Sequence, residues 1–71
     1  MKPLPFREVK RKLEAAGFKE AGQTGSHVKF AKTTAAGTRT AIVPKHHDVA
    51  AGTLRSILRQ AGLNAEEFEA L

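Results

Sequence analysis

The chain has 71 residues, no cysteine, and twelve Lys and Arg against seven Asp and Glu, a net charge of +5 with a calculated pI of about 10.1. One domain spanning residues 1–71 is expected, with a small core, because a chain this short buries only about 60% of the surface its unfolded form exposes; without cysteine, a disulfide framework and a thiolate metal site are both excluded. Glu66, Glu67 and Glu69 crowd the end of the chain, so residues 1–63 carry twelve bases against four acids, +8, a balance that favours polyanions, nucleic acid above all, through phosphate contacts and counterion release.

No apolar run approaches the ~20 residues needed to span a bilayer, and no signal-peptide pattern opens the chain. A soluble cytoplasmic protein with no membrane partner is the expectation. Met1–Pro5 reads as a short lead-in, with Pro5 tolerated at a first helical position. Phe6, Val9, Leu13 and Ala16 then fall at spacings of three and four, one helical stripe. Gly17 should stop this helix at the C′ position, with Phe18 folding back onto its last turn.

Phe18–Gln23 reads as a first strand, weakened by Glu20, Ala21 and Gly22. Gln23-Thr24-Gly25 supplies a tight turn, and Ser26–Lys32 a second strand. Thr33–Gly37 reads as a small-residue hairpin loop. Arg39–Val43 is a third strand, closed by Pro44; its alternation does not decide whether Ile42 or Val43 points inward. After the loop Lys45-His46-His47-Asp48 a second helix should begin between Asp48 and Thr53, either of which can cap it. Leu54, Ile57, Leu58 and Ala61 form its apolar stripe, Gly62 ends it, and Asn64 with Glu67 opens a short terminal helix through a capping box, with Phe68 and Leu71 as its packing contacts. The four phenylalanines read as core.

This order predicts an α+β fold, α-β-β-β-α, in which both main helices cover one face of a three-stranded antiparallel sheet, with the short C-terminal helix appended. In Gly25-Ser26-His27-Val28-Lys29-Phe30, period-2 alternation sends Val28 and Phe30 to the core, and His27, Lys29 and Ala31 to the open face. An outward imidazole beside an ammonium suits phosphate chemistry. An imidazole can accept or donate a proton near neutral pH, which makes His27 the residue of interest on that face, and Lys29 lies within reach of a phosphate held beside it. Ser26 can bond a phosphate oxygen, although a turn-closing hydroxyl is its more ordinary role. Arg55 and Arg59, one helical turn apart, can grip an RNA backbone, and the loop histidines His46 and His47 can contact phosphate or assist proton transfer. Three adjacent residues, His46-His47-Asp48, rarely converge on one ion, so no metal and no cofactor is expected. Without Tyr or Trp, a base-stacking platform is not expected either.

Several of these residues also carry a resemblance. Gly25-Ser26-His27 with Phe30, then Val43-Pro44 with a histidine close behind, then Gly52-Thr53-Leu54-Arg55-Ser56-Ile57-Leu58-Arg59-Gln60-Ala61-Gly62-Leu63, together with the opening helix ending in Ala16-Gly17-Phe18, resemble the HicA family of toxin ribonucleases. Val28 stands where many relatives carry a second histidine or another polar residue, and either His46 or His47 aligns with the later histidine. The resemblance implies a double-stranded-RNA-binding-domain-like fold, ribosome-independent cleavage of mRNA with His27 as the catalytic residue, and a cognate HicB-type antitoxin that covers the site. The competing expectations are a non-catalytic RNA-binding module of the same fold and a module whose basic face meets an acidic protein.

Overall fold

In the computed structural model, which describes all 71 residues, the chain runs α1 (Phe6–Ala15), β1 (Lys19–Thr24), β2 (His27–Thr34), β3 (Gly37–Pro44), α2 (Ala51–Ala61) and α3 (Ala65–Glu69). The strands form one antiparallel sheet in the order β1-β2-β3. This is the α-β-β-β-α arrangement expected, an open sheet with its helices on one side. The molecule is only 17 Å through its thinnest direction, which fits one layer of helix on one layer of sheet.

The core is a single cluster of thirteen apolar residues, with no buried polar side chain. From α1 it takes Val9 and Leu13, from β2 Val28 and Phe30, from β3 Ala41 and Val43, and from α2 Leu54, Ile57, Leu58 and Ala61. The alternation problem in β3 resolves here: Val43 is fully buried opposite Val28, whereas Ile42 is 40% exposed opposite Lys29. Phe18, Phe30 and Phe68 are buried, but Phe6 is only half-buried, its ring centroid 6.3 Å from that of Phe30.

Gly17 stands just beyond the C-cap Ala16, and the Phe18 amide donates to the Leu13 carbonyl at 2.9 Å while the Gly17 amide donates to Glu14. That is the bond pattern of a Schellman motif, with buried Phe18 as its apolar contact. The C-terminal ends of both main helices receive a cation from the sheet. Lys32 reaches back from β2 to donate to the Ala16 carbonyl at 2.7 Å. Arg39, its partner across the β2–β3 ladder, lies so close to Gly62 that a Cβ there would fall 2.6 Å from the guanidinium carbon. Two like charges directly opposite each other repel; these two turn towards different helix ends, where the aligned carbonyls favour positive charge.

Several boundaries depart from the sequence reading. The first strand runs Lys19–Thr24 rather than Phe18–Gln23, and the third Gly37–Pro44 rather than Arg39–Val43, with Pro44 paired to His27 instead of standing outside the strand. The second strand starts at His27, because Thr24 pairs with His27 and leaves Gly25-Ser26 as the turn. The hairpin loop expected over Thr33–Gly37 contracts to Ala35-Ala36, since the Thr34 hydroxyl accepts from the Ala36 amide and donates to the Gly37 carbonyl, closing the turn itself. Gly37 takes the positive φ, +122°, that a β-branched or alanine residue would resist. Pro5 occupies the N-cap of α1, one position earlier than expected. Neither Asp48 nor Thr53 caps α2: the N-cap is Ala50, with no side-chain bond.

This last departure has a cause that lies far off in sequence. Val49 is fully buried and forms an isolated antiparallel bridge with Leu4, each amide donating to the other's carbonyl. Pinning Val49 there starts the helix two residues downstream, out of reach of the Asp48 side chain. The terminal helix follows expectation: the Asn64 side chain accepts from the Glu67 amide and Glu67 accepts from the Asn64 amide, both at 2.8 Å. Lys12 of α1 holds that helix down by donating to the carbonyls of Phe68, Glu69 and Leu71.

Candidate functional site

His27 is the first residue of β2, delivered by the Gly25-Ser26 turn and anchored by the two buried residues that follow on alternate positions, Val28 and Phe30. Its cross-strand neighbours are Thr24 on β1 and Pro44 on β3. Lys29 is flanked likewise by Gly22 and Ile42. Cross-strand partners share a face, so these six positions form one patch of the open face.

Within it lies a shallow depression of about 400 Å³ lined by Gly22, Gln23, Thr24, His27, Lys29 and Ile42. Ala21 is the extra residue of a β-bulge between Glu20 and Gly22, and it sets Gly22 opposite Lys29. A Cβ built on Gly22 meets nothing within 4 Å, so the missing side chain leaves open space beside the lysine. The His27 and Lys29 side chains are exposed and take part in no hydrogen bond or ion pair within the protein. His27, Lys29 and Thr24 thus share the depression with the apolar Ile42, while the side-chain amide of Gln23 at its rim donates to the Gly25 carbonyl at 2.9 Å.

The other expected residues are distributed elsewhere. Ser26 sits in the turn next to His27, and its carbonyl accepts from the Lys45 amide at 2.6 Å. His46 and His47 line a separate depression of about 250 Å³ with Pro5, Phe6, Arg7 and Lys45. Arg55 and Arg59 are exposed on α2, in the helix layer behind the sheet, and so are not brought together with His27. On the same helix Gln60 faces β3, accepting from the Ile42 amide at 3.0 Å and covering part of that free edge. No three His, Asp or Glu side chains gather as a metal-binding group.

The electrostatics separate used charges from unused ones. Glu8 pairs with Arg11 at 3.1 Å and Glu20 with Lys10 at 3.3 Å. The Arg11 hydrogen bond holds the Glu8 carboxyl below the usual carboxylate range and raises the guanidinium in turn. Lys12 and Lys32 are engaged on helix carbonyls. Lys29, Arg7 and Lys45 have no acidic partner, which leaves their charge available to a ligand.

Residues 6–63 match the sequence model of the HicA toxin of bacterial toxin–antitoxin systems. The chain belongs to the HicA toxin family. The match covers α1 through α2 and therefore His27, Lys29, both loop histidines and the two α2 arginines; α3 lies beyond it. No curated protein matches the chain. No helix of this HicA-family chain is long and apolar enough to cross a membrane.

The sequence reading missed Gly22 and Ile42 as parts of the depression. A signal existed for Gly22, a glycine inside a strand, which marks a bulge or a close approach. Ile42 had none, because Ile42-Val43 offers two apolar residues in succession and only the pairing with β2 settles which one turns outward.

Proposed function

We propose that this HicA-family chain is a toxin ribonuclease that cleaves mRNA without the ribosome, acts in the cytoplasm as a single domain over residues 1–71, and is restrained by a cognate HicB-type antitoxin covering the open face. The observation that carries the reading is the exposed, unpartnered His27 sharing one depression with Lys29.

The step is a transesterification. The 2′-oxygen forms a bond to phosphorus as the bond to the 5′-oxygen breaks, leaving a 2′,3′-cyclic phosphate and a 5′-hydroxyl. The 2′-hydroxyl loses a proton and the departing 5′-oxygen gains one; His27 makes one of these two transfers. Lys29, on the same face two residues along, about 7 Å from His27 in backbone spacing, places its ammonium beside the non-bridging oxygens as charge accumulates there. No metal ion is needed for this route. Ile42 offers a nucleobase or ribose an apolar contact, and the Thr24 hydroxyl offers a hydrogen bond. Arg55 and Arg59, on the helix layer, serve longer RNA as backbone contacts.

His27→Ala is the test. The variant should keep its fold, since the side chain is exposed, and should lose about a hundredfold or more of its RNA cleavage, the usual worth of one proton transfer, together with growth arrest on expression. If the folded variant cuts RNA as well as its parent, the assignment fails. If the parent binds RNA in a salt-sensitive way and leaves it intact, the chain is a binding module.

A further inference from the structure

The second depression, at the end of the sheet where β3 leaves, takes four of its six lining residues from basic side chains, with Pro5 and Phe6 completing it. Arg7 stands in the first turn of α1, and Lys45, His46 and His47 follow β3 in immediate succession. The Lys45 ammonium itself lies over the Phe6 ring, 5.8 Å from its centroid, a cation–π contact that holds the charge at this depression. No carboxylate forms an ion pair with Arg7 or Lys45: Glu8 feels Arg7 only at longer range and is bonded by Arg11, and Asp48, the acid that ends the loop, pairs with no base. Two cations without an ion-pair partner beside two imidazoles, around a concave surface, are an arrangement that attracts and holds a phosphate.

Its position relates it to the first depression. Pro44 is the cross-strand partner of His27, and the next amide, that of Lys45, donates to the Ser26 carbonyl. The loop therefore begins within about 9 Å of the His27 backbone, one strand spacing plus one residue. An extended strand whose scissile phosphate sits at His27 and Lys29 and which rounds that end of the sheet meets this cluster next.

We propose that Arg7, Lys45, His46 and His47 form a second phosphate seat, which binds a backbone phosphate of the RNA flanking the scissile one and fixes the direction in which the strand crosses the sheet. The inference rests on the ribonuclease reading and adds to it a positioning site separate from the catalytic one. It also assigns different tasks to the histidines: His27 transfers a proton, while His46 and His47 hold substrate.

The experiment uses the full chain carrying His27→Ala, so that bound RNA stays intact, and a short single-stranded RNA followed across a salt series. Each lost phosphate contact lowers the slope of log affinity against log salt by about 0.7 on single strands. Arg7→Ala/Lys45→Ala should therefore flatten the slope by roughly 0.7 to 1.4 and weaken binding several-fold at low salt. Lys2→Ala/Lys10→Ala, the same loss of net charge outside the depression, should leave the slope nearly as it was. In the chain with His27 intact, Arg7→Ala/Lys45→Ala should raise KM for RNA and change kcat little. An unchanged slope and KM, in a protein that still cuts RNA through His27, overturns the seat and leaves the ribonuclease reading standing. A chain that neither binds nor cuts RNA overturns the ribonuclease reading and the seat with it.

Discussion

Replacing Gly22 by valine should fill the depression without loosening the fold. Gly22 faces the open side across from Lys29, a Cβ there meets no heavy atom within 4 Å, and its backbone is not in the positive-φ region. The new Cβ therefore meets no clash, and two effects favour the substitution, a less disordered unfolded chain, worth about 0.4–1 kcal/mol, and a better strand former. For a domain of this size the melting temperature should stay level or rise by a few degrees, at roughly 4–8 °C per kcal/mol. Catalysis should move the other way. A branched side chain beside Lys29 would keep a phosphate from its ammonium, and one charge-assisted hydrogen bond is worth about 1.5–3 kcal/mol, which corresponds to roughly ten- to a hundredfold in kcat/KM at 1.4 kcal/mol per decade. Thermal denaturation and cleavage of a labelled RNA on the same preparation give both readouts. Undiminished cleavage by a well-folded Gly22→Val protein would show that substrate does not enter the depression; a falling melting temperature would show that the glycine serves the adjacent bulge.

Lys32→Met keeps the apolar stem but removes the bond to the Ala16 carbonyl, so it should cost about 1–2 kcal/mol, visible as a lower denaturant midpoint with an unchanged m-value and normal RNA cleavage per folded molecule. Phe68→Ala empties a fully buried position beneath the capping box and should cost about 3–5 kcal/mol, a large share of the stability of so small a domain; urea titration checks it. Because Glu8 has its folded-state pKa lowered by Arg11, its contribution is present above the ordinary carboxylate range and is lost as pH falls through the depressed value. Glu8→Gln should flatten the acid limb of the stability profile over that interval, and NMR titration of the Glu8 carboxyl should place its midpoint below the ordinary glutamate value.

The sequence declared its periodic elements clearly and its long-range contacts hardly at all. Both main helices were legible in the spacing of Val9 and Leu13 and of Leu54, Ile57, Leu58 and Ala61, because a local repeat dictates which face is buried. The terminal capping box was legible for the same reason: its residues are three apart. The start of α2 was not, because Leu4 and Val49 pair across more than half the chain and no local signal announces that bridge. The tightness of the β2–β3 turn was hidden as well, since Thr34 reads as loop until its hydroxyl is seen to bond both Ala36 and Gly37. At the candidate site His27 and Lys29 could be read from alternation along one strand. Ile42 and Gly22 could not, because membership of a depression depends on the register of three strands and on a bulge.

All the buried residues are apolar, while the side chains assembled around the two depressions, Pro5 and Phe6 apart, are polar or lie at the surface. Folding and the proposed chemistry therefore fall on almost disjoint sets of positions. If the proposed site is the working one, selection against the toxin can silence this protein through a single change on the open face and leave a folded shell behind. An inert copy of such a gene would then persist as a stable protein rather than as a degraded one, and a search for loss of function by loss of abundance would overlook it.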